Sequence, residues 1–124
     1  MKDFPRLPDA ELEVMQIIWA KEGGVSRQDI EKALSSRRSL APTTVLTFLT
    51  RLVEKGFLKV EKAGRSNLYS PLISRRDYLA RESRSILDKL FGGSLSSFAL
   101  SLSDAGLSRA ELEELRELLE RDEL

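Results

Sequence analysis

Four threonines and one arginine recur at spacings that place most of them on one side of a helix: Thr43, Thr44, Thr47, Thr50 and Arg51. The hydroxyl of threonine can bond base edges or phosphates, and its methyl group can contact the methyl of thymine. Arginine adds a planar fork of donors that fits guanine or a phosphate. The pattern favours contact with a nucleic acid, with an ordinary solvated helix face as the alternative interpretation.

The composition excludes most catalytic chemistry. The chain of 124 residues has no cysteine and no histidine, so zinc sites of the usual kind and thiol or imidazole catalysis cannot be built. The remaining enzyme candidates are carboxylate pairs: Glu11 with Glu13, and Asp77 with Glu82. Each carboxylate fits an exposed position on a helix, and neither pair has the supporting groups of a catalytic site. We therefore expect no enzyme, no metal and no cofactor.

Charge is distributed unevenly along a chain whose 20 basic and 20 acidic side chains cancel. Residues 24–73 hold 9 Lys or Arg against 4 Asp or Glu, a local net charge of +5, whereas residues 74–124 have a net charge of −3. The basic window suits a polyanionic partner. The longest uncharged stretch has 14 residues, too few to cross a bilayer, and residues 1–8 contain no apolar signal segment. We expect a cytoplasmic protein without membrane insertion.

Three predicted helices position the threonine face. The first covers Asp9–Lys21, where apolar residues recur at helical spacing, and it ends at a pair of glycines. The second begins after Ser26, which is placed to cap it, and ends near Ser35. A polar, basic segment follows. The third helix has Pro42 in its first turn, where the missing N–H costs nothing, and ends at Gly56.

The period of the apolar residues changes from about 3.6 to about 2 after the third helix. Two such runs, residues 57–61 and 68–71, flank a basic turn, which predicts a β-hairpin. Three helices followed by a hairpin is the order of a winged helix-turn-helix, whose third helix enters the major groove while the hairpin lies along the backbone. We predict this mainly α class, with DNA contacts at Thr43, Thr44, Leu46, Thr47, Arg51, Lys62 and Arg65.

The sequence pattern divides the chain into a DNA-binding domain, residues 1–73, and a helical dimerisation domain, residues 74–124. Helical patterns in the second part cover residues 75–91, a short apolar segment at 98–102, and a last helix after a capping box of Ser108 and Glu111. An arm of about 50 residues cannot bury its own apolar stripes, so a second copy must cover them. We expect a homodimer with contacts at Tyr78, Leu79, Ile86, Leu90, Leu112, Leu115 and Leu119.

Residues 42–58 read PTTVLTFLTRLVEKGFL, and together with Leu7–Met15, Trp19 and Asn67–Leu72 they resemble the penicillinase repressor (BlaI/MecI-type) family of bacterial transcriptional regulators. The similarity covers nearly the whole chain. It implies a cytoplasmic homodimer that represses its target promoter through a palindromic double-stranded DNA operator. It also implies that the C-terminal helices form the dimer.

The resemblance further implies a route for release. In the antibiotic-responsive branch of the family, a membrane sensor protease that detects a β-lactam cuts the repressor in its dimerisation region. The family's cleavage segment aligns with residues 98–103 and places the cut bond between Ser101 and Leu102, although these are not the family's residues there. A plain helix of the dimer core is the competing interpretation of this segment. The copper-responsive branch ends in a cysteine cluster, which this chain lacks.

Departures from the family pattern leave a second function open. Thr43 and Leu46 stand where family members often carry basic residues, which would make base readout more apolar. The third helix has few charges apart from Arg51 and Lys55. Winged helices without basic contacts serve as interaction modules, and fold alone does not determine function. The alternative is therefore a winged-helix protein-interaction module without specific DNA binding, which would not need the basic hairpin tip.

Overall fold

The computed structural model describes residues 4–35 and 40–121 of the chain, so most of the basic segment between the second and third helices lies outside the described residues. The described residues form two compact units, one that ends at Ala80 and one that begins at Arg81. The elements are α1 Asp9–Ala20, β1 Val25–Ser26, α2 Arg27–Leu34, α3 Pro42–Glu54, β2 Leu58–Ala63, β3 Ser66–Pro71, α4 Arg75–Phe91, α5 Leu95–Asp104 and α6 Arg109–Glu120. Their order confirms the mainly α winged-helix class.

Local interactions explain where α2 begins and where α3 ends. The Ser26 hydroxyl accepts a hydrogen bond from the Asp29 amide, and the Asp29 carboxylate accepts one from the Ser26 amide, which confirms the predicted cap of α2. At the end of α3, Gly56 adopts a positive φ of 84° and the Phe57 amide donates to the Leu52 carbonyl at 2.9 Å. This glycine-dependent stop directs the chain out of α3 and into the hairpin.

The hairpin of β2 and β3 was predicted, but its third strand was not. In the antiparallel sheet the order is β1-β3-β2, and the two residues of β1 pair with β3, Val25 opposite Tyr69 and Ser26 opposite Leu68. This pairing brings Gly24 so close to the hairpin that a β-carbon at Gly24 would lie 2.8 Å from Cβ of Leu68. The strand β1 therefore joins the start of α2 directly to the hairpin of β2 and β3, which is called the wing below.

Replacing Gly24 by alanine is expected to destabilise the first unit by about 1–3 kcal/mol, because the added methyl group overlaps the fixed β-carbon of Leu68. Urea unfolding followed by circular dichroism measures this change. Gly23→Ala is not a neutral comparison, because Gly23 has a positive φ. Gly24→Ala combined with Leu68→Gly removes the overlapping atom, so the added methyl group should then cost less than it does in the presence of Leu68. An equal cost in both backgrounds would show that the close approach is unimportant.

All of the buried apolar side chains among the described residues belong to the first unit. Helices α1 and α3 pack against each other in this core. Phe57 and the base of the hairpin complete it. The core consists of Phe4, Leu7, Val14, Met15, Ile18, Val25, Ile30, Leu34, Val45, Leu49, Leu52, Phe57, Leu58, Tyr69, Ile73 and Tyr78. The first unit therefore contains a complete hydrophobic core of its own.

The prediction that Tyr78 contacts a second copy is wrong. Its side chain is 2% exposed, its ring lies 5.8 Å from that of Phe57 between ring centroids and 5.6 Å from that of Trp19, and its hydroxyl accepts a hydrogen bond from the Leu7 amide at 2.9 Å. An apolar residue at helical spacing fits a core as well as an interface, and here the aromatic neighbours come from the same chain. Tyr78 attaches the start of α4 to the first unit.

The expectation that Glu11 lies on an exposed helical position is also wrong. Glu11 is 3% exposed on α1, and its carboxylate forms an ion pair with Nζ of Lys55, the residue that follows α3. A buried charge without such a partner would be costly, because burial removes its hydration. The pair joins the first helix to the end of the third.

None of the described residues of the second unit, 81–121, is buried. Helices α5 and α6 contain no buried residue. The start of α6 has the predicted capping box of Ser108 and Glu111. Rings of Phe91 and Phe98 contact edge to face with centroids 5.3 Å apart. The exposed apolar side chains of this unit include Leu90, Leu95, Phe98, Leu100, Leu115 and Leu119. In the part of the chain that is described, no helix is long and apolar enough to cross a membrane.

Candidate nucleic-acid interface

Helix α3 presents one face to the core and the opposite face to solvent. Val45, Leu49 and Leu52 are buried and fix the rotation of the helix. Five predicted contacts therefore lie on the outer face or at its margin: Thr43, Leu46, Thr47 and Arg51 are exposed and Thr44 is half-buried. Packing of the inner face makes the outer face a rigid surface for a partner.

Two threonines on this face already donate their hydroxyl hydrogens within the helix. Oγ1 of Thr47 donates to the Thr43 carbonyl and Oγ1 of Thr50 donates to the Leu46 carbonyl, both at 2.9 Å. The hydroxyl oxygens then present acceptor lone pairs and methyl groups outward. Phosphate oxygens are acceptors and need a donor, whereas adenine N6 and cytosine N4 carry N–H groups that suit an acceptor. This geometry favours base edges over phosphates as the partners of these two threonines.

An apolar and an acidic residue limit the outer face of α3. Leu46 is 45% exposed beside Thr47, and an apolar side chain there can contact a thymine methyl group. Glu54 lies about one turn beyond Thr50 on the same side and is exposed. Its negative charge is unfavourable to a polyanion. The surface suited to DNA is therefore the outer face of α3 from Thr43 to Arg51.

The hairpin supplies the predicted cations at its tip. Gly64 has a positive φ of 63° in the turn, and Lys62 and Arg65 on either side of it are exposed. Lys62 lies opposite Asn67 in the strand register. Lys59 is paired instead with Glu61 at 2.8 Å, and the ammonium of Lys59 lowers the pKa of the Glu61 carboxyl. The tip, rather than the base of the hairpin, carries the basic side chains without an acidic pair of this kind.

A concave surface between α2 and the hairpin was missed by sequence reasoning. This wing groove has a volume of about 300 Å³ and is lined by Arg27, Gln28, Leu46, Arg65, Ser66, Asn67 and Tyr69. The pairing of β1 with β3 forms it, because that pairing holds the first turn of α2 beside the wing. The groove brings two predicted contacts, Leu46 and Arg65, next to donors that carry no periodic signal in the sequence.

The remaining predicted residues lie elsewhere. Lys55, one of the two cations expected on α3, is engaged with Glu11 instead of with the outer face. Leu79 is 43% exposed on α4, Ile86 and Leu112 are half-buried, and Leu90, Leu115 and Leu119 are exposed. Ser101 and Leu102 lie inside α5 and are both half-buried. In the described ranges, 4–35 and 40–121, no group of three or more acidic side chains is placed to hold a metal ion.

Comparison with known proteins gives close similarity over most of the chain. The model of the penicillinase repressor family matches residues 7–121. The penicillinase repressor of Bacillus licheniformis is 40% identical over 121 residues, which cover 97% of this chain and 94% of that protein. The methicillin resistance regulatory protein MecI of Mammaliicoccus sciuri is 33% identical over 116 residues, which cover 93% of this chain and 94% of that protein.

Two solved structures resemble about 63% of the chain. The solution structure of the DNA-binding domain of the repressor BlaI is 41% identical with a TM-score of 0.55. The alignment covers 63% of the present chain and 94% of the BlaI domain. The monomeric form of Bacillus licheniformis BlaI in complex with the blaP half-operator gives the same identity and coverage with a TM-score of 0.53. Because the family model matches residues 7–121 and the two named repressors each align over 94% of their own length, the chain belongs to the penicillinase repressor family of transcriptional repressors.

Proposed function

We propose that this chain is a cytoplasmic repressor that binds double-stranded DNA as a homodimer. The first unit of each copy, which ends at Ala80 and is called the head below, binds one half of a palindromic operator. The observation that carries this proposal is the outer face of α3 beside the basic tip of the hairpin, on a unit similar to a BlaI domain solved with its half-operator. The roles follow from the chemistry. Thr43, Thr44, Leu46 and Thr47 meet base edges, while Arg51, Lys62 and Arg65 meet phosphates or guanine.

The dimer part of the proposal rests on the second unit. Its helices leave leucines such as Leu90, at 74% exposed, and Leu119, at 57% exposed, without intramolecular cover. Exposed apolar stripes of this kind on a helical unit without a core are typical of an interface. A second copy fits better than an unrelated partner, because a twofold pair of heads matches a two-part operator. Tyr78 has no part in this interface, since it is buried in the head.

Selection of binding sites from a random library of duplex DNA tests the proposal. The full-length protein should enrich an inverted repeat, whose two half-sites are spaced by whole turns of the double helix. Sedimentation of the same protein should give a dimer rather than the 14.0 kDa monomer. Enrichment of no sequence at low salt would instead favour the protein-interaction module.

The basic contacts make a separate, quantitative prediction. With the selected duplex, Arg51→Ala should reduce the slope of log K against log salt by about 1.8, and Lys62→Ala with Arg65→Ala by about 3.6, because the dimer loses each phosphate contact in both half-sites and each lost contact lowers the slope by about 0.9. Fluorescence anisotropy across a salt series measures these slopes. Arg84→Ala is the matched control, since Arg84 is exposed on α4 and paired only with Asp88 of its own helix in the contacts described. Slopes equal to wild type in both basic variants would contradict the assigned roles.

The proposal includes release by a membrane sensor protease that cuts between Ser101 and Leu102. A protease needs an extended segment, so part of α5 must unfold first. No residue of α5 is buried, which keeps the free energy of this local opening low. Intact-mass analysis of the repressor recovered from cells treated with a β-lactam should show a fragment that ends at Ser101. Recovery of the full-length chain alone, while the target gene is induced, would exclude cleavage as the release step.

A further inference from the structure

The wing groove brings together several side chains that can donate hydrogen bonds. Two arginines, Arg27 and Arg65, and two residues with carboxamide side chains, Gln28 and Asn67, line one open concavity. None of the described residues that line it carries a carboxylate. Donors of this type, gathered around an exposed space, suit an anionic oxygen-rich group such as a phosphate.

The acidic side chains near the groove are already engaged. Glu31 pairs with Arg27 at 3.4 Å across one turn of α2 and restrains the guanidinium at the groove. Asp29 caps α2 through the Ser26 amide and pairs with Lys21 at 3.1 Å. The Lys21 ammonium and the Ser26 hydrogen bonds lower the pKa of the Asp29 carboxyl, so Asp29 is ionised but balanced by a cation. Because Glu31 balances Arg27 and Lys21 balances Asp29, the positive charge of the groove comes from Arg65.

The position of the groove relates it to the proposed DNA surface. Leu46 belongs both to the outer face of α3 and to the lining of the groove, and Arg65 belongs to the hairpin tip. A duplex that contacts the outer face of α3 and the hairpin tip must pass the space between them. We propose that the wing groove holds one phosphate of the operator backbone between α2 and the wing, with Arg27, Gln28 and Asn67 as donors beside Arg65.

This inference rests on the proposed function and extends it to three side chains outside the predicted contacts. The inference also predicts different effects on DNA binding for the charged Arg27 and for the neutral Gln28 and Asn67. Loss of the Arg27 charge removes counterion release, whereas loss of the neutral amides of Gln28 and Asn67 removes only hydrogen bonds. The first change should alter the salt dependence of binding, and the second should not.

Anisotropy titrations with the selected duplex test this distinction. Arg27→Ala should reduce the slope of log K against log salt by about 1.8 and weaken binding about thirtyfold near 0.15 M salt, because the dimer loses one phosphate contact, worth about 0.9 in slope, in each half-site. Gln28→Ala and Asn67→Ala should each weaken binding about tenfold at every salt concentration, which is about threefold for each half-site, with the slope unchanged. Arg84→Ala, which removes an arginine with the same four-residue spacing to its acidic partner, should bind like wild type.

A single neutral linkage in the DNA locates the phosphate. Methylphosphonate is placed at each backbone position of one half-site in turn. At one position it should weaken wild-type binding about fivefold and leave the affinity of Arg27→Ala unchanged, because protein and DNA each lack the same contact. Additive losses at every position would overturn the inference.

The outcomes separate this inference from the proposed function. If the wild-type protein binds no duplex, the proposed function fails. If it binds, but Arg27→Ala keeps the wild-type slope, only the inference fails. Inorganic phosphate replacing chloride at equal ionic strength should not compete with the duplex beyond the general effect of salt. Stronger competition by phosphate that is lost in Arg27→Ala would show a site for free anions and would overturn the assignment to the DNA backbone.

Discussion

Replacing Lys55 by methionine is expected to lower the free energy of unfolding by about 3–5 kcal/mol, because the change leaves the carboxylate of Glu11 buried without its cation. This is a large part of the roughly 5–15 kcal/mol that stabilises a typical domain. Urea unfolding should show a lower midpoint with the same dependence on denaturant. The complementary change Glu11→Gln should cost less, about 1–2 kcal/mol, because the Lys55 side chain is 29% exposed and its ammonium can reach water.

The double variant Glu11→Met with Lys55→Met is the matched control. Both charges are then absent, so neither is left unpaired, and replacing a buried ion pair by apolar residues is often close to neutral. We expect it to unfold within about 1–2 kcal/mol of wild type. If the double variant loses as much stability as Lys55→Met alone, the cost comes from packing and not from an orphaned charge.

Truncation after Ser101 is expected to weaken operator binding at least about a hundredfold, through loss of the dimer. The fragment lacks α6 and with it Leu112, Leu115, Leu118 and Leu119, whose burial is worth roughly 1.5–3 kcal/mol per side chain before entropy is counted. Each 1.4 kcal/mol changes a dissociation constant about tenfold, so the dimer equilibrium shifts by orders of magnitude. The head keeps its buried core, all of it within residues 4–78, and should stay folded.

Sedimentation and operator titration of residues 1–101 beside the full chain measure these effects. Leu115→Asp with Leu119→Asp should reproduce the loss of dimer in a full-length protein. Glu114→Gln, which changes an exposed polar position on the same helix, should remain dimeric. A truncated chain that stays dimeric and binds as tightly as the full chain would show that cleavage at this position cannot release the operator.

Local signals in the sequence predict most of the elements of the head. Apolar spacing and the Ser26 cap define α1 and α2, and the change of period after Gly56 defines the hairpin. The strand β1 escapes such reasoning, because two residues have no periodicity and its pairing joins Val25 to Tyr69, 44 positions later in the chain. Long-range pairing of this kind is determined by the whole packed unit.

The same limit explains which functional residues could be predicted. The outer face of α3 follows from its own spacing, so its threonines and Leu46 were found from the sequence. Arg27 and Asn67 become neighbours only through the β1–β3 pairing, which a local pattern does not contain. Tyr78 occupies an apolar helical position that fits either a core or an interface. Only its contact with Phe57 and its hydrogen bond from Leu7 distinguish the two.

The third strand also affects the thermodynamics of association. A two-stranded hairpin joined to a domain only at its base pivots freely, and binding must then arrest that motion at an entropic cost. Here β1 pairs with β3 at Val25 and Ser26, which anchors the wing along a second edge before any DNA is present. Calorimetry should therefore record little ordering of the wing on binding. Amide exchange should find Tyr69 as protected in the free protein as in the complex, because its strand is already fixed.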